Sequence, residues 1–304
     1  MRIVVTGPTG NVGRKLANLL LDRGGHEIVL LARKPEGLAA EKGRGAIVVQ
    51  GSLEDADYVK RATRGADAVY FLIPPKFDAP DTRAYQNALT ENMANAVRAN
   101  AVKRVAFQSS IGANVGYGCG PVDGLHDAEE ILGKAGPNAT MLRCGYFMEN
   151  FLMLLDGVAS SGAVFLPVSG STRVPLVATK DIAEVAAKVL VDAGWRGVRV
   201  IPVYGARDYS FDEAARIIGD AVGKPVRHVR TTGEDLKRAL VGFGASENTA
   251  DVFAAMYGAL ESGLMRPEPP RTPEATTPTT FEEFARTIIA PALRAKMEQA
   301  AARG

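Results

Sequence analysis

The chain has 304 residues, 46% of them hydrophobic and 23% charged, with a formal net charge of +2. That length accommodates a full α/β domain plus a smaller lobe. The apolar share excludes wholesale disorder, and the near-neutral charge argues against nucleic acid or an anionic membrane as partner. No apolar stretch approaches the ~18 residues of a membrane span, and a strand beginning at Arg2 leaves no room for a signal peptide. Cys119 and Cys144 have no Cys or His partner at metal spacing, so no metal site is expected, and a reduced cytoplasmic compartment is the simplest setting.

Arg2 to Thr6 reads as a strand. A helix follows from Asn11, with Val12, Leu16, Leu19 and Leu20 on one face and Gly24-Gly25 as its stop. Strands are expected at Glu27 to Ala32 and Ala46 to Gln50. Ser52 with Asp55 three residues on resembles a capping box for the next helix. Ala68 to Ile73 is a continuous apolar run, as expected of a strand buried on both faces. A long helix spans Asp81 to Asn100, a strand Arg104 to Gln108, a helix Leu125 to Ala135, and a strand Ala139 to Leu142. Strands alternating with helices mean parallel βαβ crossovers.

The stretch VTGPTGNVG, residues 5 to 13, follows a strand and opens a helix, the context in which a glycine triplet points to a phosphate cradle. Gly7 allows the tight turn, Gly10 lets the backbone approach a pyrophosphate, and Gly13 lets the helix pack close to the sheet. The N–H groups of the helix start, including Asn11 and Val12, face the anion with Thr9 beside them. Arg33-Lys34 follow the second strand, where NAD-binding folds place a carboxylate for the ribose 2′-OH. A guanidinium there pairs with a 2′-phosphate, so NADPH is expected over NADH. A solvated basic turn is the alternative.

After Arg143 the rhythm loosens. Residues 144 to 155 read as a helix, and Ala163 to Val168 and Arg173 to Val177 as strands. Asp181 with Glu184 marks a helix start, Val198 to Tyr204 a strand, and Ser210 with Glu213 a capping box. Val226 to Thr231 reads as a short strand, and Gly233–Leu240 and Glu247–Leu260 as helices. Residues 266 to 280 are rich in Pro and Thr and read as a loop. A last helix starts near Phe281.

Taken in order, VTGPTGNVG, ARKPE, GSLED, FLIPP, FQSSIGA, HDAEEIL, LRCGYFMENF, VPLVATKDIAEVAA and TPTTFEEFAR make nearly the whole chain similar to the NmrA-like group of atypical short-chain dehydrogenases/reductases. Within that group it is most similar to the quinone oxidoreductases and triphenylmethane reductase. The resemblance implies a Rossmann fold, a doubly wound parallel sheet, with a smaller C-terminal α+β substrate lobe. The NADP-binding domain would span 1–145, with returns near 173–204. The lobe would take 146–172 and 205–304.

Typical short-chain dehydrogenases use Tyr-x-x-x-Lys, but no tyrosine in this chain has Lys four residues later. Tyr117 is followed at that distance by Pro121 and Tyr146 by Asn150. The resemblance instead puts His126 near the nicotinamide end. There it is either a proton donor or a helix-start residue paired with Glu130. Ser109 and Ser110 end the fifth strand, where open α/β sheets bind ligands. Their hydroxyls either contact the nicotinamide ribose or a substrate carbonyl, or satisfy loop backbone.

On this reading Ser110 and His126 are the catalytic candidates. Ser52, Ile73, Pro74, Ser109 and Tyr146 join the cradle in holding cofactor, and Tyr117, Phe147 and Asn150 face substrate. The expected activity is NADPH-dependent reduction of a flat electrophile such as a quinone or enone, by a monomer or homodimer whose partner is that small molecule. An NADP(H)-sensing regulator with little turnover is the alternative.

Overall fold

The computed structural model describes residues 1–136 and 138–301. Seven strands form one wholly parallel sheet: β1 (Arg2–Thr6), β2 (Glu27–Ala32), β3 (Ile47–Gln50), β4 (Ala68–Phe71), β5 (Arg104–Ser110), β6 (Asn138–Cys144) and, later in the chain, Gly197–Val203. Their order is Gly197–Val203, β6, β5, β4, β1, β2, β3. Winding therefore reverses between β1 and β4, and open α/β sheets bind ligands in the crevice at such a switch point. Helices α1 (Asn11–Arg23), α2 (Ala39–Gly43), α3 (Ala56–Ala62), α4 (Thr82–Ala99) and α5 (Val122–Gly133) supply the crossovers. One apolar layer packs α1 against Ile3, Val5 and Leu30, and another packs α4 and α5 against Val4, Val69 and Phe107. Alternate residues of each strand thus enter opposite layers, as a doubly covered sheet requires.

The rest of the chain adds β7 (Tyr146–Phe147), a 3₁₀ segment (Met148–Leu154), α6 (Leu155–Ser161), β8 (Ala163–Leu166), β9 (Arg173–Val177) and α7 (Thr179–Val191), which returns to the sheet. The seventh sheet strand, Gly197–Val203, is β10. Then come β11 (Asp208–Ser210), α8 (Phe211–Val222), β12 (Arg227–Arg230), α9 (Gly233–Gly242), α10 (Glu247–Glu261), α11 (Phe281–Phe284) and, after a π turn, α12 (Ala290–Ala301). These elements build a third apolar core around Phe151, Tyr209, Phe211 and Phe281. Among the described residues no helix is long and apolar enough to cross a membrane, and no acidic, His or Cys cluster could hold a metal.

Three local expectations are corrected. Asp55, not Ser52, caps α3, its carboxylate accepting from the Tyr58 N–H at 2.9 Å; Ser52 accepts from the Glu54 N–H in the turn before it. Helix α7 begins at Thr179, two residues before Asp181. The buried Asp181 carboxylate accepts instead from the Thr279 N–H and hydroxyl, tying α7 to the Pro/Thr loop. Residues 144–155 are not one helix. Tyr146 and Phe147 pair with Leu176 and Val177 of β9, and a Cβ on Gly145 would lie 2.3 Å from the Pro175 carbonyl, so the backbone is held extended there. The Ser210/Glu213 capping box is present at α8.

The lobe carries a pH-sensitive group. The His228 side chain on β12 is 3% exposed, and its Nε2 has no partner among the described residues. Burial pulls its pKa below the usual 6.5 and Arg230 reinforces this, against the Asp212 carboxylate 3.9 Å from Nδ1. The unfolded chain therefore takes the proton first, so the stability is present above pH ~6.5 and lost as pH falls below it. Melting curves from neutral pH down to about 5 should show a loss that His228→Leu reduces. An unchanged slope in the variant means the ring titrates as it does in water.

Candidate functional site

The turn from β1 to α1 holds Gly7 at φ 60°, a left-handed backbone. Its neighbours explain the other glycines. A Cβ on Gly13 would stand 2.2 Å from the Gly7 carbonyl oxygen, so Gly13 is required for the helix to close on the turn. A Cβ on Gly10 meets only that same oxygen, at 3.4 Å. The space beside Gly10 is otherwise open. Helix α1 has no side-chain cap and no acidic residue in its first turn, so its exposed N–H groups and dipole stay available to an anion.

Two hollows adjoin at the carboxyl ends of the strands, and the outer one reaches this turn. The outer one is lined by Gly7, Thr9, Arg33, Ser52 and Glu54; Arg33 and Lys34 are both solvent-exposed. Arg14, on α1, donates from Nη2 to the Gly37 carbonyl at 2.8 Å, and Gly37 also lies against Thr9, which brings a second guanidinium to this end. The inner hollow is a mostly apolar cleft of about 300 Å³ at the carboxyl ends of β4, β5 and β6. Ile73, Pro74, Ser109, Ser110, Tyr146, Phe147 and Asn150 line it, so the structure brings these sequence candidates together. Pro74 and Tyr85 line both hollows, which makes them one trough.

The two serines differ. The Ser109 hydroxyl donates to Glu129 Oε1 at 2.6 Å, within a buried pair in which Arg143 donates from Nε and Nη2 at 3.0 and 2.7 Å. Among the described residues the Ser110 hydroxyl bonds to no protein group, and it is the one left for a ligand. Gln108 adds a donor that the sequence did not suggest. Tyr70 donates to its Oε1 at 2.5 Å, which turns its amide nitrogen away from Tyr70 and leaves it unpaired among the described residues.

Tyr146 has its ring edge-on to Phe211 and its hydroxyl 3.1 Å from that of Tyr257 on α10. Burial holds both phenols protonated by raising their pKa values, for Tyr146 well above the usual 10. Lys15 of α1 donates to Glu149 at 3.2 Å and to Thr179, and Glu149 also accepts from the Thr179 N–H. The cradle helix is thereby clamped to the segment that carries Tyr146 and Asn150.

Two sequence candidates lie elsewhere. His126 does not line the cleft. Its Nδ1–H donates to the Ala113 carbonyl at 2.7 Å, its Nε2 edge packs over Gly116, and Glu130 pairs with Lys134 rather than with the imidazole. Tyr117 is 78% exposed on the same loop and is also absent from the cleft wall. The far wall comes from residues the sequence gave no reason to join: Thr249, Phe253, Met256 and Leu260 of α10, with Met265. Their spacing on one helix face was the available signal, but it reads equally as core packing.

The parallel sheet, its switch point and the glycine turn define a Rossmann-type α/β protein. The chain belongs to the NmrA-like family, whose model matches residues 1–285. It is 28% identical over 288 residues to an NAD(P)H azoreductase of Xenophilus azovorans, covering 93% of this chain and 96% of that protein. Over 264 residues it is 27% identical to quinone oxidoreductase 2 of Escherichia coli, covering 86% and 89%. Its fold matches Citrobacter sp. triphenylmethane reductase with a TM-score of 0.80 at 23% identity, over 97% of this chain and all of the other.

Proposed function

We propose that the protein is an NADPH-dependent reductase of flat, conjugated acceptors such as quinones and enones. The observation that carries this is the trough, with a Cβ-free anion cradle and Arg33 at one end and a mostly apolar cleft at the other. The bound dinucleotide supplies the hydride. The chain's own contribution is binding and orientation, with Gly7 to Gly13 and Ser52 on the phosphate and ribose side and Ser110, Phe147 and Asn150 on the acceptor side. A quinone spreads the charge it gains over its ring, so a cleft without a strong acid suits it. The relatives named as quinone and azo reductases support the same chemistry.

The test is NADPH consumption with a panel of quinones and enones. Turnover is expected; tight NADP binding with no turnover on any acceptor would favour a sensor instead. Arg33→Ala should weaken NADPH by ~10- to 100-fold, the worth of a charge-assisted hydrogen bond, and leave NADH nearly unchanged. Equal losses for the two cofactors would show that Arg33 is not the selector.

A further inference from the structure

We infer that the Gln108 carboxamide nitrogen, with the Ser110 hydroxyl beside it, donates to a carbonyl oxygen of the acceptor, and that Tyr70 is the positioning residue that turns this nitrogen to the cleft. The assignment rests on the reductase reading and deepens it: the acceptor is one that carries a carbonyl oxygen.

Most polar groups of the cleft wall are already engaged. Ser109 donates to Glu129, the Thr82 and Thr249 hydroxyls bond each other at 3.0 Å, and Gln86 donates to the Pro121 carbonyl at 3.0 Å. The Tyr146 hydroxyl is taken by Tyr257, with Asn150 against its oxygen. The Lys76 ammonium pairs with Glu54 at 3.2 Å and lies over the Tyr85 ring at 5.3 Å, beside the outer hollow that Tyr85 and Glu54 line. Gln108 Nε2 and Ser110 Oγ have no protein partner among the described residues, and neither is sealed off as Gln86 Oε1 is. The cleft is the space that both residues line.

Strand geometry puts the two donors together. On β5 they are two residues apart, so both side chains leave the same face of the sheet, about 7 Å apart along the strand. Ser109 between them points to α5. Tyr70 of β4 is the register partner of Ala106 and shares that face. Its side chain is fully buried, and burial holds the phenol protonated by raising its pKa well above the usual 10. That proton needs an acceptor, and among the described residues Gln108 Oε1, at 2.5 Å, is the one it has. The opposite orientation of the amide would face N–H groups to the phenol and strand its proton in the core. Nε2 is therefore turned from Tyr70 to the cleft. In the balanced reaction the acceptor carbon takes a hydride from NADPH, the carbonyl π pair moves onto oxygen, and the oxyanion takes its proton from water, leaving NADP⁺. Donors fixed before the charge develops favour this step, and neither an amide nor a serine hydroxyl titrates near neutrality. An oxygen-free acceptor would instead strip water from both donors and leave them unpaired.

The experiment uses the NADP⁺-loaded protein and two flat probes, 9-fluorenone and fluorene, which differ in the carbonyl oxygen. Fluorescence titration gives the affinities, and infrared difference spectra give the carbonyl stretch of bound fluorenone. The wild type should prefer fluorenone by ~10-fold and lower its carbonyl frequency below the value in an alkane. Gln108→Leu should remove most of that preference and raise the band toward the alkane value, with fluorene and NADP⁺ affinity unchanged. Tyr70→Phe frees the carboxamide to turn, so it should give a smaller loss of the same kind and lower kcat with a quinone. The double variant Tyr70→Phe/Gln108→Leu strands no phenol proton and covers the case in which Gln108→Leu is unstable.

A wild type that does not prefer fluorenone, or a Gln108 variant that weakens both probes equally, would make Gln108 a wall residue and overturn the inference. Loss of NADP⁺ affinity instead would assign the amide to the cofactor and overturn it as well. A Tyr70→Phe protein with the parent's preference and carbonyl band would remove Tyr70 from its positioning role. Absence of wild-type turnover with every acceptor would instead sink the reductase reading. The probe titration does not depend on turnover, so the two failures are distinguishable.

Discussion

Gly10→Val protein is expected to fold and to melt within a few degrees of the parent, yet to lose NADPH. Gly10 has φ −85° and ψ 175°, an extended backbone open to any residue, and a Cβ there has only the Gly7 carbonyl within 4 Å, at an ordinary contact distance. The cost to the fold is that of a poor N-cap, about 1 kcal/mol, or a few degrees in a chain of this size. The branched side chain would nevertheless occupy the space in which a pyrophosphate must meet the α1 N–H groups. Losing two charge-assisted hydrogen bonds corresponds to roughly a hundredfold or more in affinity.

Gly13→Ala is the contrast. Its Cβ would overlap the Gly7 carbonyl at 2.2 Å, so the turn itself must move and the melting temperature should drop. Overpacking of this kind costs about 1–3 kcal/mol. Thermal melts paired with calorimetric titration of NADPH separate the two effects. A Gly10→Val protein that binds NADPH like the parent would place the phosphates elsewhere.

The contrast also shows what the sequence could and could not disclose. Strands β1 and β2 have the bounds that their apolar runs suggest, because a doubly covered parallel strand needs unbroken apolarity and turns interrupt it. The turn role of Gly7 and the packing role of Gly13 were legible for a related reason: steric demands at a β–α turn are local. What failed depended on contacts distant in sequence. Residues 144–155 are as apolar as a helix, and only pairing with β9, some thirty residues on, keeps their start extended.

The case of His126 is similar. Helical spacing put Glu130 on its face, but the loop carrying Ala113 folds back over the ring and takes its Nδ1–H, while Lys134 takes the carboxylate. Spacing along one helix does not encode the path of a neighbouring loop. The α10 wall of the cleft and the Tyr146–Tyr257 contact join residues more than a hundred positions apart, and their chemistry is invisible until the lobe closes over the sheet.

The same dependence on contacts distant in sequence makes Arg143 a side chain whose loss should cost the fold heavily. On adjacent strands β5 and β6, Ser109 and Arg143 are register partners, and Glu129 of α5 reaches both. The Arg143 and Glu129 side chains are 12% and 9% exposed, so solvent does little to screen them. Arg143→Leu removes two of the three donors to the Glu129 carboxylate and leaves a buried charge with one hydroxyl. Breaking such a pair costs about 3–5 kcal/mol.

The double variant Arg143→Leu/Glu129→Leu removes the stranded charge as well and should recover most of that loss, because two apolar side chains of similar volume often replace a buried pair at little net cost. Chemical denaturation of the parent, the two single variants and the double variant gives the coupling directly. The single variant should also release Ser109 at the cleft wall and lower kcat more than it weakens NADPH, since the phosphate cradle lies at the other end of the trough. If Arg143→Leu stays within about 1 kcal/mol of the parent, the pair is exchanging with solvent as a surface bridge does, and Glu129 is not a fixed support for the end of β5.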